Sequence, residues 1–206
     1  MRTFISPAQI QVLLRLSQQI DRLTDWIGRW SSGLVLLTIA IGFYNVTARY
    51  LGRYVAMKLS SNALIELQWY LFSLLFFLGF GYILKHGENV RVDFLYSSWT
   101  QKRRAWVDFL GTVFFLIPFC VLGIWMSWNP IWQSWGLLPD GSWGNWELSP
   151  DADGLPRAPI KTMLLVCFLL LLMQCISQTI KYFAVIKGYT QVAEQMQADI
   201  EQLPLE

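Results

Sequence analysis

Four stretches of this chain run for about 20 residues without an Asp, Glu, Lys or Arg, the length a helix needs to cross a bilayer. They cover Trp30 to Ala48, Leu67 to Leu84, Phe109 to Trp128 and Thr162 to Ile180. A soluble core seldom buries one helix so uniformly apolar, let alone four. In hydrocarbon the helix also satisfies every backbone N–H and C=O internally. None of the four alternates apolar and polar residues, which speaks against a membrane β-barrel. The expected fold is all-α: a membrane protein of four transmembrane helices, with spans near residues 30–48, 64–85, 106–128 and 160–184. At 206 residues, 54% of them hydrophobic, the chain suffices for one such domain (30–190) and little else.

Residues 1–29 differ in kind. Pro7 suits the first turn of a helix, and Ile10, Leu13, Leu14, Ile20, Leu23 and Ile27 recur at helical spacing. Arg15, Gln18, Gln19, Asp21, Arg22 and Asp25 fall largely on other faces. The pattern predicts an amphipathic interfacial helix, lying along the membrane or packed on the cytoplasmic ends of its own bundle. It lacks the compact apolar core and cleavage site of a secretory signal, so the first span is expected to stay in the mature protein. The tail, 191–206, is polar and acidic and carries no functional signal.

Lys and Arg in the flanks set the expected orientation. With the N-terminus inside, the inner segments hold Arg2, Arg15, Arg22, Arg29, Lys85, Arg91, Lys102, Arg103, Arg104, Lys181 and Lys187. The outer ones hold Arg49, Arg53, Lys58, Arg157 and Lys161. The bias favours two cytoplasmic termini.

Charges cluster at span ends. Glu66 opens the second span, Lys85 and His86 close it, and Asp108 opens the third, each where a helix dipole favours its sign. Asn45 and Thr47 in the first span, with Gln174 and Ser177 in the fourth, read as groups that join helices. Pro118 should kink the third span or free a carbonyl. Cys120, Cys167 and Cys175 form no C-x-x-C pair and read as small hydrophobes. His86 is the single histidine, so paired axial haem ligands are missing. So are an H-E-x-x-H pair and a nucleophile–base set. No enzyme, metal site or cofactor is expected, and a net charge of +2 gives no sign of nucleic-acid binding.

The connection at 129–159 stands out for Trp132, Trp135, Trp143 and Trp146, set among the turn formers Pro139-Asp140-Gly141 and Ser149-Pro150-Asp151. Trp prefers the headgroup level. This outer loop is expected either to fold down onto the membrane interface or to offer a periplasmic docking surface.

The segment from Ser61 to Tyr96 resembles the small membrane subunit, DctQ-like, of tripartite ATP-independent periplasmic (TRAP) transporters. The matching features are Glu66-Leu67-Gln68-Trp69-Tyr70, Lys85-His86 and Val90-Arg91-Val92-Asp93, with Asn45 and Arg49-Tyr50 at the end of the first span. The plan of an amphipathic start, four spans and a basic Lys102-Arg103-Arg104 loop is also similar. One departure is Asn89, where the family commonly carries a His.

The resemblance implies a bacterial inner-membrane uptake system driven by an ion gradient, usually sodium. It implies two partners: a large, DctM-like membrane subunit that holds the substrate and ion sites, and a periplasmic substrate-binding protein delivering a small organic acid. The small subunit would be a scaffold in membrane lipid that binds no substrate itself. Its assembly candidates are then Asn45, Arg49, Glu66, Gln68, Trp69, Lys85, His86, Arg91 and Asp93, with Arg91 and Asp93 expected to pair with each other or with Lys85. The rival is a self-sufficient homo-oligomeric channel or carrier, for which Asn45, Gln174 and Pro118 offer little polar material. A membrane-embedded assembly factor for a respiratory complex is a further interaction-type alternative.

Overall fold

The computed structural model describes residues 7–55, 60–87 and 98–201. Helix α1 spans Pro7–Val55 and α2 spans Asn62–His86. Helix α3, Gln101–Gly111, passes through a π-helical turn at Thr112–Leu116 into α4, Ile117–Ser134. Helix α5 is Ala158–Ile186 and α6 is Thr190–Glu201. Among the described residues, four helical stretches are long and apolar enough to cross a membrane: Gln9–Val55, Asn62–His86, Gln101–Ser134 and Ala158–Ile186. Among the described residues there is no strand, only an isolated antiparallel bridge between Leu137 and Trp143. The chain is an all-α membrane protein.

Where the sequence changes from a polar start to an apolar span, α1 does not break. It is one helix of 49 residues, about 74 Å at 1.5 Å per residue against a hydrocarbon core of about 30 Å. Gly28 and Gly33 lie near the change, and an isolated glycine lowers helix stability by only about 1 kcal/mol. The π-helical turn has a local cause. Pro118 brings no N–H, and its ring would strike the carbonyl of Phe114 in a regular helix. Widening the turn over Thr112–Leu116 accommodates it.

Packing is inverted relative to a soluble core. Leu36, Phe43, Phe115 and Trp125 are all more than 70% exposed, whereas the largest fully buried side chains are Gln174 and Gln178. Lipid is as apolar as leucine, so helices in it are joined by close packing and by polar bonds that hydrocarbon cannot satisfy.

The described chain divides into two compact units. The first gathers residues of Met1–Ile27, Phe80–Leu122 and Phe168–Glu206, and the second those of Gly28–Gly79 and Gly123–Cys167. The first has a small apolar centre: Cys120, Leu171 and Cys175, packed with Phe80, Leu84, Leu116, Ile117 and Leu172. The cysteines are free thiols.

Candidate functional site

In the first unit, the buried face of α1 is polar. Asp21 accepts hydrogen bonds at one oxygen from Gln174 Nε2 (3.0 Å) and Ser177 Oγ (2.8 Å), and its other oxygen pairs with Lys181 Nζ at 2.6 Å. Because Ser177 gives its proton to Asp21, its oxygen is left to accept from Ser17, 2.7 Å away. Thr24 donates to Gln174 Oε1 at 2.7 Å. Ser17, Asp21 and Thr24 are each at most 9% exposed, and their three- and four-residue spacing places them on one helix face. They bind the first half of α1 to α5.

The end of α2 joins the same unit. Lys85 Nζ donates to both oxygens of Asp25 at 2.6 Å. The Asp199 carbonyl accepts from His86 Nδ1 at 2.8 Å, which puts the ring proton on that nitrogen. Nε2 then stands 3.5 Å from Asp25. The Asp199 carboxylate lies 4.0 Å from Lys85 and 3.7 Å from Lys181. Helix α6 reaches this position through Gly188 (φ 94°), whose left-handed conformation ends α5, with the amides of Gly188 and Tyr189 capping the carbonyls of Val185 and Ala184.

The second unit is built around Glu66, which is 2% exposed. The carboxylate accepts from the Ser149 hydroxyl and the Leu155 amide, with Arg157 3.9 Å away. Tyr70, one turn on, donates to the Pro156 carbonyl at 3.1 Å, and Asn62 donates to Ala152 at 2.9 Å. One face of α2 therefore holds down the 149–157 segment. Gly154 is required there: a Cβ would lie 2.4 Å from Ser149 and 2.9 Å from the Glu66 carboxylate.

Glu147 closes the other end of the connection. It accepts from Lys161 and from Ser134 (2.6 Å). Lys161, then Ser134, with added help from the Arg157 charge, hold its carboxyl below the ordinary value. Both turn sequences form turns, at Leu138–Ser142 and at Ser149–Gly154.

The residues singled out from sequence fall into distinct places. Trp69 and Glu66 converge on Arg157, whose guanidinium lies 5.6 Å over the Trp69 ring. Lys85 and His86 converge on Asp25. Gln68 lies against α1, its Nε2 2.7 Å from where a Cβ on Gly42 would sit. Asn45 is 3% exposed and its Oδ1 has no hydrogen-bond partner among the described residues, while Arg49 is exposed. The loop tryptophans pair edge to face, Trp132 with Trp143 and Trp135 with Trp146, at 6.1 and 4.8 Å. Trp135 also donates to Thr162 at 2.8 Å. Trp143 and Trp146 remain 63% and 51% exposed. Arg91 and Asp93, and with them the expected pairing to Lys85, lie outside the described residues, as does Asn89.

Asp21, Asp25, Lys181, Asp199, Ser149 and Arg157 were not singled out. The acids at 21 and 25 were visible as a one-turn pair in a helix otherwise rich in Arg and Gln, but their partners lie 60 and more residues away. Among the described residues, no three His, Cys, Asp or Glu side chains gather to hold a metal ion.

The family described as "Tripartite ATP-independent periplasmic transporters, DctQ component" matches residues 38–184, well over half of the chain. The chain belongs to the DctQ family. It is thus the small membrane subunit of a TRAP transporter, a multi-pass protein in a family of transporter subunits and not of enzymes. Within the DctQ match lie Glu66, Lys85, Glu147, Arg157 and Lys181; outside it lie Asp21, Asp25 and Asp199. No curated protein and no solved structure matches the chain.

Proposed function

We propose that this DctQ subunit is a scaffold: it anchors and widens the static part of a large, DctM-like subunit and binds no substrate itself. The observation that carries this reading is how the polar groups at its helix ends are used. Glu66, Lys85 and His86 are engaged by residues of the same chain. Outward-facing side chains such as Phe43, Phe72 and Phe76 are apolar, which suits a surface shared between lipid and another membrane protein.

The transporter is then a secondary uptake system of the bacterial inner membrane, driven by an ion gradient, most readily sodium. It takes up a small organic acid delivered by a periplasmic binding protein. Both termini are cytoplasmic, following the Lys and Arg bias. In that orientation the tryptophan-bearing loop faces the periplasm, and Trp143 and Trp146 are its docking residues. Asn45, Arg49, Gln68 and Trp69 are candidates for contact with the large subunit, as are Arg91 and Asp93.

Extraction of the tagged protein from its native membrane in mild detergent, with mass spectrometry of co-purifying proteins, tests the assembly. A much larger polytopic protein should come with it, and Arg91→Ala should reduce its recovery. A homo-oligomer lacking any such partner would overturn the scaffold role and turn attention to ion flux through the chain itself.

A further inference from the structure

The first unit contains a cavity of about 390 Å³, within the size range of small-ligand sites. Three cations line it, Arg22, Lys85 and Lys181, with three carboxylates, Asp21, Asp25 and Asp199. The carboxylates are not equivalent. Asp25 and Asp21 each hold a lysine at 2.6 Å, and Asp21 is fixed further by Gln174 and Ser177. Asp199 approaches the same two ammonium groups only at 4.0 and 3.7 Å, too far for a hydrogen bond. It rides on α6, beyond the Gly188 turn, and its side chain is 27% exposed. The Asp199 carboxylate can swing away without breaking a short ion pair, while its carbonyl keeps the bond to His86.

What it would uncover is an anion seat. The two lysine side chains are only 6% and 9% exposed, and each ammonium has three N–H donors. Among the described residues Lys181 makes one short contact, to Asp21, and Lys85 bonds only the two oxygens of Asp25. Buried donors facing a cavity favour an occupant that accepts from them. With Asp199 withdrawn, the lining carries three cations against two carboxylates.

We propose that this cavity binds the phosphate of a net-anionic ligand, one with no cationic group attached, and that Asp199 is its built-in competitor. A phosphate in the place of the Asp199 carboxylate would lie near both lysines, with Arg22 also on the lining. Two sources share this chemistry, the headgroup of an anionic phospholipid and a soluble phosphate. The apolar part of the lining, Leu14, Val192 and Met196, favours the lipid.

The experiment is thermal unfolding of the purified full-length protein in detergent at constant ionic strength. The titrants are dihexanoyl phosphatidylglycerol, dihexanoyl phosphatidylcholine and inorganic phosphate. Phosphatidylglycerol should give a saturable rise in Tm that phosphatidylcholine does not. In Asp199→Asn the rise should saturate at concentrations on the order of tenfold lower, because the competitor is gone. Lys85→Gln should weaken it. An equal, Asp199-sensitive rise with inorganic phosphate would support the site and assign it to a soluble anion. Overturning results are the absence of any saturable shift, equal shifts with the two lipids, or identical titrations of wild type and Asp199→Asn. If Lys85→Gln does not fold, the Asp199→Asn comparison decides alone.

Discussion

The two units use carboxylates in opposite ways. In the first, Asp21 and Asp25 are on a helix and meet cations on other helices, so charge answers charge between rigid elements. In the second, Glu66 is also on a helix, but its closest partners are a hydroxyl and a backbone amide of an irregular connection. The first arrangement joins helices. The second pins a loop, and a loop can be released without separating the helices that carry it. Damage to the first unit should therefore appear as lost global stability, and damage to the second as local opening.

Lys181→Met gives the largest expected effect. It leaves Asp21 buried without its cation, and removing one member of a buried pair costs about 3–5 kcal/mol. Denaturant unfolding in detergent would show it. The double variant Asp21→Asn with Lys181→Met should recover part of that loss, because the amide buries no charge while its oxygen still accepts from Gln174 and Ser177. If the double variant is as unstable as the two single losses added together, the ion pair does not join these helices as described.

Gly154→Ala comes next and should act on the second unit alone. Its new methyl would meet Ser149 and the Glu66 carboxylate. Proteolysis within residues 149–157 should accelerate, on the order of tenfold, while the unfolding midpoint moves little. Equal changes in both would erase the contrast between the units.

A smaller effect concerns acid. The Glu147 carboxyl is held below its ordinary value in the folded state. Its contribution is therefore present above the unfolded-state value and is lost as pH falls through the lower folded one. Tryptophan fluorescence from the 129–159 connection should stay constant from neutral pH down to the carboxylate range, then change. Glu147→Gln should remove that acid-dependent step.

Ser17→Ala should have the smallest effect. Ser177 keeps its bond to Asp21 when Ser17 is gone, so no buried donor is stranded and the loss should be about 1 kcal/mol. A loss several times larger would mean that the α1–α5 seam depends on that hydroxyl pair more than on Asp21.

Much of this was legible in the chain. Four charge-free stretches sufficed for four membrane helices, because hydrocarbon leaves a backbone few alternatives to the helix. The Pro-Asp-Gly and Ser-Pro-Asp turns were readable from their residue types. Glu66 was singled out as well, yet its position near a helix start suggested the helix dipole, while its bonds go to Ser149 and Leu155. The first half of α1 read as an amphipathic helix lying along the membrane or packed on its own bundle, with no partner named for its polar side; Ser17, Asp21 and Thr24 are buried on α5. Nothing local separates a polar stripe that faces water from one that faces another helix.

By itself, then, the sequence determined the number of spans, the all-α class and the DctQ character, since each rests on local composition or on a motif contiguous in the chain. Only the tertiary structure decided that α1 is continuous across its change of character. It alone paired Asp21 with Lys181 and Asp25 with Lys85, and brought Asp199 beside both lysines. Those partners are separated by up to 160 residues along the chain. The energy of a charge pair depends on distance and burial, and neither is encoded at the positions of the charges themselves.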